Sequence, residues 1–231
     1  MLTKWEQLDE KLQNDEVKRY YDILSNKRGS LLLKRIFDIV VSLLMIVILS
    51  PALLFISIWI KTDSKGPVFY RQVRVTKNNK DFRIFKFRTM VQDADKIGSL
   101  VTVGNDSRIT KVGSKIRKVR LDELPQLFNI FKGEMSFVGT RPEVRKYVDR
   151  YTDEMMATLL LPAGVTSLAS IMYKDEDDIM AEKTATGMSV DEAYIEYVLP
   201  DKMKYNLEII NKFSIVGELK IMIKTVLEVI K

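Results

Sequence analysis

The 231-residue chain contains no cysteine and no histidine. The first absence excludes disulfides, thiolate zinc sites and thiol nucleophiles; the second removes the commonest general base and metal ligand. Chemistry is left to carboxylates, hydroxyls, lysines or a bound ion. No internal repeat or low-complexity linker divides the sequence, and its near-half apolar content supplies material for one generous core. Between Lys61 and Arg120 there is no glutamate: nine lysines and seven arginines stand against five aspartates, in a chain whose formal charge is only +6. That stretch calls for an anionic partner, which charge alone leaves open among nucleic acid, anionic lipid and a nucleotide diphosphate.

A third absence is charge between Ile39 and Ile60. Those 22 positions make a helix of roughly 33 Å, against a bilayer core of about 30 Å. No small-residue cleavage pattern follows, so a secretory signal is not indicated. Lys27, Arg28, Lys34 and Arg35 precede the segment and Lys61, Lys65, Arg71 and Arg74 follow it, so both flanks favour the cytoplasmic side. Near its middle, Ser50-Pro51 removes a backbone donor and offers a hydroxyl to the carbonyl thereby freed. The pattern predicts two arms of about 15 to 18 Å meeting at a Ser50-Pro51 hinge and returning to one side. A proline kink in a spanning helix is the alternative.

Helix is the expected majority state, with a small hairpin, which makes the class α+β. Residues 1–33 read as a polar, peripheral helical leader with Trp5, Leu8 and Leu12 at helical spacing, residues 34–64 as the re-entrant membrane helix, and residues 65–231 as the catalytic domain. Val68 to Thr76 and Phe82 to Thr89 flank Lys77-Asn78-Asn79-Lys80, an antiparallel hairpin signal. Ile116–Phe131, ending at Gly133, Glu143–Leu160 and Met180–Val198 are each predicted as one helix. In the tail, Ile215, Leu219, Met222, Val226 and Val229 fall on one helical face, which suits core packing and an amphipathic interfacial helix equally.

The most pointed cluster is Asp122-Glu123, just ahead of Pro125 and just after Lys115, Arg117, Lys118 and Arg120. As plain structure it is a helix cap. As chemistry, such a site would depress a carboxylate pKa and draw in phosphate, with magnesium offsetting the repulsion, and Asp122 could attack phosphorus. Lys86-Phe87-Arg88-Thr89 ends the hairpin, and Asp106 to Thr110 reads as a polar turn or a phosphate contact. Gly133 to Pro142 forms a tight loop holding Arg141, suited to bidentate phosphate recognition.

The ordered series Lys34-Arg35-Ile36-Phe37-Asp38, Ser50-Pro51, Gly66-Pro67-Val68-Phe69, Lys86 to Met90, Leu121 to Leu127, Gly133 to Pro142 and Pro162 to Ala169 resembles the monotopic phosphoglycosyl transferases, the bacterial sugar transferase family. The resemblance runs from about Lys34 to the C-terminus. It implies a reaction at the cytoplasmic face of the bacterial inner membrane in which Asp122 takes the phosphosugar of a UDP-sugar, releases UMP and passes the phosphosugar to a polyprenyl phosphate. By the same resemblance Glu123 is the dyad partner, Mg2+ contacts Asp122, Arg117 and Arg141 handle phosphate and nucleotide, and Lys86 and Arg88 assist. Many members carry proline where Thr140 stands and a plain Pro-Gly where this chain reads Pro162-Ala163-Gly164. Larger members add an N-terminal multi-span module, so a compact form is expected. A homodimer is left open. The rival classes are a non-catalytic membrane scaffold gripping anionic lipid and a membrane-tethered nucleic-acid binder. Nucleic acid is not the expected partner, because aromatic residues do not punctuate the basic positions.

Overall fold

A computed structural model describes residues 2–94, 106–173 and 176–230. Among them helix predominates, beside two two-stranded sheets. The leader is not peripheral. Leu8, Leu12, Val17, Tyr20, Tyr21 and Leu24 are buried in the largest apolar cluster, against Val75, Val148, Leu160, Leu207 and Phe213. Nor is it one helix. Asp9 and Asn14 turn their side chains onto nearby backbone amides, so two single turns, Trp5–Gln7 and Glu10–Leu12, precede helix α1 (Asp15–Ser25).

Helix α2 (Arg28–Asp63) starts before the expected boundary and runs through Pro51. Pro51 has no N–H for the Val47 carbonyl, and the Ser50 hydroxyl donates to that oxygen at 2.8 Å, as the dipeptide suggested. By length and composition α2 is able to cross a membrane. One stripe of it, from Leu31, Lys34, Asp38 and Ser42 to Leu53, Ile56 and Ile60, is buried at helical spacing against the rest of the chain. Near its start the Lys34 ammonium donates to the Val138 carbonyl at 2.9 Å and pairs with Glu218 at 2.7 Å. At its end Asp63 accepts from the Val112 amide at 2.9 Å. Both ends are therefore fastened to the same body, while Phe37, Val40, Leu44, Val47, Leu54 and Phe55 on other faces stay exposed.

The hairpin forms as expected. Strands β1 (Phe69–Thr76) and β2 (Lys80–Phe87) pair antiparallel with Tyr70 opposite Lys86 and Thr76 opposite Lys80. Asn78 and Asn79 take the left-handed turn at φ 59° and 55°, a region asparagine tolerates. The helix expected over Ile116–Phe131 is instead two, α3 (Lys111–Lys118) and α4 (Gln126–Lys132). Arg120, at φ 57°, breaks the path between them, and Leu121–Glu123 form a single tight turn. Strand β3 (Met135–Val138) then pairs in parallel with β4 (Ala163–Thr166), a contact the sequence did not suggest. Gly139 and Gly164 cross so closely that a Cβ on Gly164 would lie 2.2 Å from the Gly139 nitrogen.

The helix expected over Glu143–Leu160 is also broken. Helix α5 (Arg145–Val148) ends early, and the Thr152 hydroxyl accepts from the Met155 amide to start a separate turn, Met155–Leu160. After α6 (Leu168–Met172), the stretch expected as Met180–Val198 divides at Gly187, φ 92°, into α7 (Glu176–Ala185) and α8 (Val190–Ala193), the latter opened by a Ser189–Glu192 capping box. A wide turn at Tyr194–Val198 leads into α9 (Leu199–Asn211), and α10 (Ile215–Ile230) closes the chain. The tail helix buries Glu218 and Ile221. Leu219 and Val226 of the expected stripe remain exposed, together with Val216, Ile223 and Leu227; the Val229 side chain lies outside the described residues.

Candidate active site

Asp122 and Glu123 lie on the turn between α3 and α4. Leu121 and Leu124 on either side of them pack against Ile56 and Ile60 of α2, Phe87 of β2 and Ile116 of α3, which fixes the turn against the long helix. Asn129, fully buried, joins α4 to the open edge of β2. Its side-chain oxygen accepts from the Phe85 amide at 2.8 Å, and its amide donates to the Arg83 carbonyl at 3.0 Å and the Glu134 carboxylate at 2.7 Å. With β2 held there, Lys86 faces the turn.

One oxygen of Glu123 organises the centre. Oε1 accepts from Lys86 Nζ at 3.0 Å and from Arg141 Nη2 at 2.9 Å. Burial by itself would raise the Glu123 carboxyl, but Arg141 and Lys86 outweigh it and bring the pKa down to about 2. Glu123 is thus a fixed anion that gathers two cations. Lys86 goes the other way: burial lowers its ammonium despite the attraction of Glu123. The Arg141 side chain is 36 % exposed.

Asp122 departs from the sequence expectation. Its pKa is raised rather than depressed, because burial outweighs the pull of Lys86 and Arg117, and Glu123 adds repulsion. No ion pair or side-chain hydrogen bond engages its carboxylate among the described residues. Arg117, on α3, acts on Asp122 through space and forms no ion pair of its own among them. Lys86, Asp122, Glu123, Arg117 and Arg141 are therefore one cluster. Arg88 is not part of it. Its guanidinium donates to the Lys65 carbonyl at 2.6 Å and to the Ser64 carbonyl at 2.7 Å, closing the end of α2. The Asp106 to Thr110 segment folds on itself, with Asp106 bonded to Arg108 and pulled down to about 2 by it.

Sequence reasoning missed Asn129, Gln72 and Arg74. Gln72 and Arg74 lie on the hairpin face that carries Lys86, and the Arg74 guanidinium donates to the Gln72 side-chain oxygen at 3.0 and 2.7 Å and to the Pro142 carbonyl, beside Arg141, at 3.2 Å. Strand alternation was the one signal available, since Tyr70, Gln72 and Arg74 share the parity opposite Lys86.

No group of three or more carboxylates able to cage a metal occurs among the described residues. Magnesium that takes its remaining ligands from substrate phosphates uses one or two protein carboxylates, and Asp122, engaged in no ion pair among the described residues, would be the residue to hold it.

The model of the bacterial sugar transferase family matches residues 29–231. The chain is 41% identical over 166 residues to a UDP-N-acetylgalactosamine-undecaprenyl-phosphate N-acetylgalactosaminephosphotransferase of Aeromonas hydrophila, covering 66% of this chain and 39% of that protein. It is 36% identical over 203 residues to a UDP-glucose:undecaprenyl-phosphate glucose-1-phosphate transferase of Klebsiella pneumoniae, covering 85% and 40%. It is 39% identical over 168 residues to an undecaprenyl-phosphate galactose phosphotransferase of Salmonella typhimurium, covering 66% and 35%. The chain belongs to the bacterial sugar transferase family. It spans about 40% or less of the length of these relatives, and their names carry three different sugars.

Proposed function

We propose that this protein transfers a sugar phosphate from a UDP-sugar to undecaprenyl phosphate, the step that initiates a bacterial glycan, through a phosphosugar carried on Asp122. The observation that carries the reading is the Glu123 oxygen holding Lys86 and Arg141 beside Asp122, whose carboxylate no ion pair engages among the described residues. The cations gather a pyrophosphate, and their charge makes the dianionic centre open to an anionic nucleophile. An Asp122 oxygen attacks the β-phosphorus; the bond from that phosphorus to the bridging oxygen breaks, and its electron pair leaves with UMP. A lipid phosphate oxygen then attacks the same phosphorus and returns Asp122 as a free carboxylate. Glu123, ionised far below neutral pH, holds the cations and moves no proton. Asp122 would hold magnesium, which would supply neutralisation of the phosphate charge.

The setting is the cytoplasmic face of the inner membrane. Attachment of both ends of α2 to one body supports a re-entrant helix rather than a crossing. The exposed apolar residues of α2 and α10, which meet at a groove of about 450 Å³ lined by Leu33, Phe37, Val40, Ile215 and Leu219, support contact of both helices with lipid. Anchoring holds the cluster where a polyprenyl phosphate headgroup lies, which converts the second transfer into a reaction of pre-placed partners.

The test is UMP release from a panel of UDP-sugars with undecaprenyl phosphate and magnesium. Release from at least one sugar, reduced by about a thousandfold or more in Asp122→Asn, is the expected result. Folded protein that releases UMP from none returns the anionic-lipid scaffold.

A further inference from the structure

The cations do not end at the dyad. Lys86 acts on both Asp122 and Glu123, Arg141 acts on Glu123 and Glu143, and Arg74 acts on Arg141 and Glu143. They make a strip leading away from Asp122 along the β1–β2 face. A nucleophile at one end of such a strip meets one phosphorus only; the rest of the strip suits the part of the donor beyond the bond that breaks.

Arg74 is built for a ligand at that end. Of its five N–H groups, Nε and one on Nη2 are given to Gln72, and one on Nη1 to the Pro142 carbonyl. Glu143 Oε2 forms an ion pair with Nη1 at 3.9 Å, too long for a hydrogen bond, while its Oε1 accepts from the Tyr194 hydroxyl at 2.6 Å. Two N–H groups on the outer nitrogens are left uncommitted among the described residues, and the side chain keeps 23 % of its surface open. Gln72 grips the guanidinium along one edge and fixes its plane. Arg141 stands close enough to repel it. Glu143 offsets part of that repulsion, and a phosphate between the two guanidiniums adds to the relief.

We infer that Arg74, its plane set by Gln72, binds the phosphate of the nucleoside monophosphate half of the donor and, with Arg141, retains it as the leaving group. The inference rests on the proposed transferase reading and adds to it a second phosphate contact away from the reacting phosphorus. Arg74 touches substrate; Gln72 is a positioning residue.

The experiment measures equilibrium binding of UMP and of uridine to the full chain in detergent, for wild type, Arg74→Gln and Gln72→Ala, with KM and kcat for the active UDP-sugar. Losing a charge-assisted bidentate contact weakens UMP binding ~10- to 100-fold in Arg74→Gln and raises KM similarly. Uridine binding stays unchanged, and Gln72→Ala shows a smaller loss in UMP alone. Equal losses for UMP and uridine mean that Arg74 only braces the loop at Pro142 and overturn the inference. So does an active wild type whose Arg74→Gln variant binds UMP as tightly. Wild-type protein that neither binds UMP nor turns over any UDP-sugar overturns the transferase reading, and this inference with it.

Discussion

Glu123 and Asp122 are adjacent in the chain, yet their surroundings drive them apart: two cations on one oxygen hold the first ionised, while burial without a partner raises the second. The consequence for stability has a definite sign. Glu123 has a folded pKa of about 2 against an ordinary 4.5, so its contribution is fully present above the unfolded value and is lost as pH falls from there through the folded one. Glu123→Gln therefore lowers stability at pH 7 by about 3 kcal/mol, and thermal unfolding in detergent shows the two proteins converging as pH drops from 4.5 towards 2. A gap that persists unchanged down to pH 2 contradicts the pairing. Lys86, Asp122, Glu123 and Arg141 were legible as charged residues in ordered motifs. Arg88 lies just beyond the end of β2, and its long side chain turns to the carbonyls of Ser64 and Lys65 at the end of α2, a tertiary contact that the motif does not show. The Asp122 shift was misread because the sequence does not show that the break at Arg120 sets the turn apart, half-buried, instead of opening a helix.

Local chemistry dictated the elements that could be read. The Asn78-Asn79 turn and the Ser50-Pro51 repair need only neighbours in sequence. The parallel β3–β4 pair could not be read, since it joins two four-residue strands across a long connection and its glycines pass equally well for turn residues. For α2 the re-entrant reading makes a topological prediction that the cysteine-free sequence makes easy to examine. Asn26→Cys and Thr62→Cys, introduced singly at exposed positions flanking the apolar run, react with an impermeant maleimide from the same, cytoplasmic side. Labelling from opposite sides makes α2 a span.

For the whole molecule the unexpected feature is the leader, which looked separate because it is polar on average. Most of its apolar residues enter the core, where Leu12 and Leu24 are fully buried beside Leu160, Leu207 and Phe213, whereas Leu32 and Leu33 stay exposed. Leu24→Ala costs about 2–5 kcal/mol and lowers the melting temperature accordingly, whereas a dispensable leader predicts no change. Core, leader and α2 stripe together hold one cationic cluster against one long apolar helix, and the proposed chemistry needs that arrangement to form a covalent phosphosugar on a single carboxylate. Intact-mass spectrometry of the protein with magnesium and each UDP-sugar, without lipid acceptor, reads that species itself. The wild type gains the mass of one sugar phosphate with matching UMP release, loses it when undecaprenyl phosphate is added, and Asp122→Asn gains nothing; UMP release and lipid transfer without any adduct on the protein, or with full activity in Asp122→Asn, contradict it.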